Sequence, residues 1–85
     1  MQEQKTEDTA KELETFVFDT IATFGPDRAA ISRDATLRDL EVDSIDMVEL
    51  TQLVEDRYDV RLDPAELEGV QTVGDAIGVI EAKIA

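Results

Sequence analysis

Apolar side chains recur with a helical period at several places along the chain, and no stretch shows the two-residue alternation of a strand flanked by hairpin turns. Leu13, Phe16, Val17, Ile21 and Phe24 fall at i, i+3, i+4, i+8 and i+11, one face of an amphipathic helix that Gly25-Pro26 ends. The spacing predicts a helix over about residues 7–24. From Gly25 to Val42 no period is sustained. A loop this long is uncommon in a small domain, and Ile31, Leu37, Leu40 and Val42 are the side chains expected to pin it to the core. Asp34-Ala35-Thr36-Leu37 is expected to form a single helical turn within it.

The second helix is expected from about Ser44 to Tyr58, with Asp43 as its N-cap and Asp46 reaching back three residues later. Asp63-Pro64-Ala65-Glu66 has a cap, a proline at the first helical position and an acid in the first turn, and Gly69 closes this short third helix. Thr72 caps a fourth, with Asp75 at the box position and an apolar stripe of Val73, Ala76, Ile77, Ile80 and Ile84. The fold class is all-α: a four-helix bundle of three longer helices and one short one, with a long loop between the first two. Residues 1–5 are polar and expected to be a flexible tail, leaving one domain over 6–85.

At 100° per residue the second helix separates into two surfaces. Met47, Leu50, Thr51, Val54 and Tyr58 share the side expected to face the core. Ile45, Val48, Glu49, Gln52, Glu55 and Asp56 share most of the other. An apolar pair flanked by acids has the make-up of a transient protein-docking surface.

Composition removes several classes of function. The chain has 85 residues, no Cys, no His and no Trp. Disulfides, thiolate metal sites and the commonest general base are therefore absent, and no metal site is expected. Twenty-one acids against 8 bases give a net charge of −13. Nucleic-acid binding needs clustered Lys and Arg, which are missing, and an anionic membrane surface is disfavoured for the same reason. The N-terminus has no basic region followed by an apolar stretch, and no run approaches the ~20 apolar residues of a membrane helix, so a cytoplasmic monomer is expected. The acidity is also concentrated. Between Asp39 and Asp59 stand Asp39, Glu41, Asp43, Asp46, Glu49, Glu55, Asp56 and Asp59 against the single base Arg57.

Ser44 lies at the head of this acidic helix. A serine there is ordinarily a cap, but Asp43 already supplies one, which leaves the hydroxyl available. Unpaired backbone N–H groups and the positive dipole end also suit an attached phosphate. Use of Ser44 as an enzyme nucleophile is disfavoured, because no His can activate it.

Asp43-Ser44-Ile45 resembles the Asp-Ser-Leu attachment motif of acyl carrier proteins. The resemblance runs on through Asp46, Val48-Glu49-Leu50, the pair Glu55-Asp56 and Thr72-Val73-Gly74-Asp75-Ala76-Ile77, covering about residues 7–84. It implies a non-catalytic carrier in which a phosphopantetheinyl transferase joins 4′-phosphopantetheine from coenzyme A to Ser44, beside Asp43 and Ile45. The thiol of that arm would hold acyl groups as thioesters. It further implies docking of ketosynthase, acyltransferase, reductase and dehydratase-type enzymes through basic patches, with Asp46, Val48, Glu49, Gln52, Glu55 and Asp56 as the contacts on this chain. The expected setting is type II fatty acid or polyketide biosynthesis.

Three positions depart from the family pattern. Glu41 stands where a glycine is common, Gln52 where an apolar residue is common, and Arg57 interrupts an acidic run. An aminoacyl or peptidyl carrier is the nearest alternative, although Glu41-Val42 does not match the Gly-Gly usual there. An acidic interaction module without a prosthetic group would explain the charge but leave the surroundings of Ser44 to chance.

Overall fold

Three α-helices carry the fold in the computed structural model, which describes residues 5–84: α1 (Lys5–Ala22), α2 (Ser44–Tyr58) and α3 (Val73–Ile84). Leu13, Val17 and Ile21 of α1 meet Leu50 and Val54 of α2 and Val73, Ile77 and Ile80 of α3 in one cluster, all with no exposed surface. Each such side chain contributes about 1.5–3 kcal/mol relative to its exposed state, so this cluster is the main driving force of the fold. The tail expected over residues 1–5 lies, apart from Lys5, outside the described residues.

α1 begins and ends two residues before the expected bounds. Its last turn tightens: Thr23, Phe24 and Gly25 donate their N–H groups to Thr20, Ile21 and Ala22, three residues back, and Gly25 then takes φ +131°. The apolar stripe is also wider than the spacing implies. Phe18 is buried, with the Arg28 guanidinium 5.0 Å from its ring centroid, whereas Phe16 and Phe24 are only half-buried at the edge of the core. Residues after α1 fold back over that flank and cover it, including a 3-10 turn at Arg28–Ala30 that the sequence pattern does not announce.

The short third helix is a single 3-10 turn, Pro64–Leu67, capped by Asp63, whose carboxylate accepts from the Ala65 N–H at 3.3 Å. Gly69 ends the turn at φ +85°. Four residues are too few to propagate an α-helix, and the proline supplies only the fixed φ at its start.

The long loop is pinned as its apolar residues require, with Ile31, Leu37 and Leu40 buried and Val42 half-buried. Its helical turn, however, lies over residues 36–42 rather than 34–37. The Thr36 hydroxyl accepts from the Asp39 N–H at 3.0 Å, and Leu40, Glu41 and Val42 donate to the carbonyls of Thr36, Arg38 and Leu37. Residues 33–37 are engaged elsewhere. Thr36 and Thr72 form an antiparallel bridge, the Leu37 N–H donates to Gln71, and the Val73 and Gly74 N–H groups donate to Ala35 and Arg33. Two N-terminal donors of α3, which no residue of its own helix can satisfy, are thus paired with loop carbonyls. Thr72 and Asp75 close the same end reciprocally, Asp75 N–H to Thr72 Oγ1 at 3.0 Å and Thr72 N–H to Asp75 Oδ2 at 3.2 Å. The Thr72 and Gln71 N–H groups hold the Asp75 carboxyl below the ordinary carboxylate range.

Two backbone positions are constrained by this arrangement. A Cβ on Gly74 would stand 3.0 Å from the Arg33 carbonyl oxygen, a backbone atom that cannot swing away. Glu41 holds φ +59°, the left-handed region in which a side chain costs about 1–2 kcal/mol. A glycine at that position would remove the penalty, which gives a physical reason for the family's preference.

Gly74→Ala is expected to lower stability by about 1–2 kcal/mol by pushing the loop off α3, whereas Gly78→Ala, which meets nothing within 4 Å, should raise it by about 0.5–1 kcal/mol. Urea denaturation checks both, and equal effects would contradict the close approach at Arg33. Glu41→Gly should stabilise by about 0.5–1 kcal/mol, strain relief outweighing the extra freedom of the unfolded chain. A loss of stability there would mean that the Glu41 side chain contributes contacts of its own. For Asp75 the folded-state pKa lies below the unfolded one, so its contribution is complete above the unfolded pKa and is lost as pH falls through the folded value. Asp75→Asn should therefore be less stable than the parent at neutral pH, with the difference shrinking in strong acid.

Candidate functional site

Ser44 is the first residue of α2, and the helix is capped without it. Asp43 is extended (φ −98°, ψ −175°), its Oδ1 accepts from the Asp46 N–H at 2.9 Å, and Asp46 Oδ2 accepts in return from the Asp43 N–H at 3.4 Å. The Asp43 carbonyl takes the Met47 N–H at 3.0 Å and starts the helix ladder. Ser44 and Ile45 are therefore presented outward at the positive end of α2, Ile45 with 74% of its surface exposed. The two carboxylates nearest the serine are held in the cap by backbone N–H groups rather than pointed at the hydroxyl. An anionic phosphodiester at Ser44 fits this setting, because the remaining first-turn N–H groups and the helix dipole favour negative charge.

The wheel of α2 holds. Leu50, Thr51 and Val54 are buried, and Met47 and Tyr58 are half-buried against the core. The Thr51 hydroxyl is satisfied by donating to the Met47 carbonyl at 2.8 Å. On the outward side Ile45, Val48, Glu49, Gln52 and Asp56 are exposed. Two residues are placed differently from the expectation of a uniform charged rim. Glu55 is half-buried and turned sideways, its Oε2 accepting the Leu62 N–H at 2.7 Å, so it ties down the chain that follows α2. Asp46 is half-buried and occupied with the cap.

Arg57, the one base among the acids of α2, does not break up the outward face. Its guanidinium turns towards α1, bonding Glu12 at 3.0 Å and lying 5.0 Å from the Phe16 ring centroid and 5.9 Å from that of Tyr58. Arg33 reaches Glu14 at 2.7 Å and Arg28 reaches Asp19 at 3.0 Å. Three arginines from three segments therefore neutralise acids of α1. None of the ion pairs among the described residues falls on an acid of α2. Exposed pairs of this kind contribute only about 0–1 kcal/mol each to stability. Their larger effect is on the field: three acids of α1 are offset, whereas the acids of α2 and of the turn that leads into it are in none of these pairs.

Leu53 escaped the sequence reading. It is exposed at 40% on the shoulder of α2 towards Arg57, across the outward face from Val48. Its signal was present in the wheel, where it falls about 80° round from Ile45 and clear of the core positions.

Residues 19–80, which include Ser44, match the family model described as "Phosphopantetheine attachment site". The chain is 39% identical over 61 residues to the acyl carrier protein of Thermotoga maritima, covering 71% of this chain and 75% of that one. It is 47% identical over 45 residues to the acyl carrier protein of Prochlorococcus marinus, covering 53% and 56%. A capped helix start that leaves its serine free, an acidic helix behind it and these matches converge: the chain belongs to the acyl carrier protein family, whose covalent prosthetic group is 4′-phosphopantetheine.

Proposed function

We propose that Ser44 is the attachment point of the 4′-phosphopantetheine arm, and that the outward face of α2 presents the loaded arm to enzymes of type II fatty acid or polyketide biosynthesis in the cytoplasm. The observation that carries this reading is the reciprocal Asp43–Asp46 cap, which satisfies the helix start and leaves the Ser44 hydroxyl exposed and unspent. Among the described residues no helix is long and apolar enough to cross a membrane.

Each residue of the site has a separable task. Ser44 Oγ would attack the pantetheine-bearing phosphorus of coenzyme A, the pyrophosphate bond breaking to release adenosine 3′,5′-bisphosphate. With no His in this chain and Asp43 and Asp46 engaged in the cap, the base that takes the hydroxyl proton belongs to the transferase. Asp43 and Asp46 hold the first turn in helical geometry, so the hydroxyl projects at a fixed place. When attached, the arm supplies a terminal thiol that holds acyl groups as thioesters. Ile45 and Val48 offer an apolar centre, and Glu49, Gln52 and Asp56 a polar rim, to the transferase and to ketosynthase, acyltransferase, reductase and dehydratase-type enzymes. Glu55 acts beside them mainly by holding the following chain in place.

The division suits a carrier that must visit several enzymes and leave each of them. Electrostatic steering can raise association from about 10⁵–10⁶ to 10⁸–10⁹ M⁻¹s⁻¹ at low salt, while a small rim-dominated contact keeps dissociation fast. The three arginines that pair with acids of α1 help by leaving the acids of α2 uncompensated.

Intact mass spectrometry after incubation with coenzyme A and a broad-specificity phosphopantetheinyl transferase should show one arm-sized mass increase. Ser44→Ala, with helicity checked by circular dichroism, should show none. An unmodified native protein, or a modified Ser44→Ala, would sink the assignment.

A further inference from the structure

α2 rests on the core with one shoulder on each side of its outward face. On one side Val48 stands above Glu55, which grips the Leu62 N–H of the chain following α2. On the other, Leu53 precedes Arg57 by one turn, and Arg57 leans onto Glu12 and Phe16 of α1. The exposed apolar surface of α2 is therefore a saddle rather than a stripe: Ile45 at the crest, with Val48 and Leu53 on opposite slopes at 51% and 40% exposure. Glu49 lies between Ile45 and Leu53 along the helix, and Asp56 follows Leu53 by three residues, both exposed and outside the ion pairs among the described residues.

We infer that Leu53 is a second apolar foothold for the phosphopantetheinyl transferase, fitting a hollow displaced about 12 Å along the helix axis and about 80° round it from the one that receives Ile45, with basic side chains between them for Glu49 and beyond for Asp56. The spacing follows from eight residues at a 1.5 Å rise. This deepens the docking role proposed above for α2 and rests on it.

The transferase is the partner singled out because of how it must approach. Enzymes that act on the loaded protein meet the cargo at the end of a flexible arm, so their contact with α2 need not cover the start of the helix. The transferase must bring its active site to Ser44 Oγ itself, so its footprint includes the start of α2. Even a small specific interface covers roughly 600–800 Å² per partner, a disc of about 14–16 Å radius. Centred on Ile45, such a disc takes in Leu53. A leucine on that footprint, flanked by two carboxylates outside the ion pairs among the described residues, has the apolar-centre, polar-rim make-up of an interface patch. The charge of the occupant follows by complementarity: Lys or Arg must face Glu49 and Asp56, since acids there would repel.

The test is steady-state kinetics of arm transfer to the apo-protein by a purified broad-specificity phosphopantetheinyl transferase, with KM and kcat read separately. Leu53→Ala should raise KM for the carrier about five- to tenfold and leave kcat unchanged, because Ser44 and its cap are untouched. Leu53→Met should restore the parent KM, and the thermal midpoint of both variants should match the parent's. A KM for Leu53→Ala within twofold of the parent's overturns the inference, whatever the midpoint does. So does a raised KM accompanied by a fallen kcat and midpoint that Leu53→Met does not repair. Ile45→Ala and Glu49→Lys run alongside: if these raise KM and Leu53→Ala does not, only the foothold is wrong. If none of the three does, the docking role of α2 fails with it.

Discussion

The backbone pairing of residues 33–37 with the start of α3 is the constraint on which the site depends. Without it, residues 23–43 would be a long connection with few reasons to hold one shape. Three backbone hydrogen bonds are made there, from the Leu37 N–H to Gln71, the Val73 N–H to Ala35 and the Gly74 N–H to Arg33, around the Thr36–Thr72 bridge. They complete the N-terminus of α3 and anchor the loop in the same act. The loop then needs only the turn over residues 36–42, and the burial of Leu37 and Leu40, to deliver Asp43 to the head of α2. Gly74 makes this close approach sterically accessible, and Glu41 bears strain to complete the turn. The position of Ser44 is thus set from α3, although no residue of α3 adjoins it in sequence.

The charges show a second division of labour. A net charge of −13 works against compaction, because like charges repel more strongly in the folded chain than in the expanded one. Spread evenly, it would give no direction to an approaching partner. Arg28, Arg33 and Arg57 each come from outside α1 yet pair with acids on it, and two of them also lie over aromatic rings. The pairs add little to stability individually, but they remove negative charge from one side of the molecule and leave it on another. Arg57 illustrates why composition alone misleads. In sequence it sits among the acids of α2, and in space it belongs to the surface of α1.

Much of this was legible in the residues. The three long helices follow from periodicity, both capping boxes from the spacing of Asp43 with Asp46 and of Thr72 with Asp75, and the pinning of the loop from its four apolar points. What was not legible depends on contacts between segments far apart in sequence. Phe18 looks like a flank residue until the chain after α1 folds over it. The turn expected at Asp34 moves to Thr36 because α3 claims the backbone of residues 33–37. The short third helix is weaker than its cap and proline suggest, since these govern how a helix starts and not whether it continues. At the site, the wheel puts Glu55 with the outward residues but cannot show that the Leu62 N–H draws its carboxylate aside into a half-buried position.

The use of Asp43 rather than Ser44 as the cap carries a mechanical consequence. A serine cap would lock its oxygen against an N–H of the first turn, and any group attached through that oxygen would cost the cap, about 1 kcal/mol of helix stability. Modification would then loosen the helix that partners must recognise. With Asp43 and Asp46 bonding each other's N–H groups, the cap and the attachment oxygen belong to different residues. Attachment at Ser44, as proposed, would leave the α2 surface intact, and the added negative charge would fall at the helix end that favours it. On the proposed assignment of Ser44 and α2 this separation is required, because the same face then serves the enzyme that installs the arm and the enzymes that later use it.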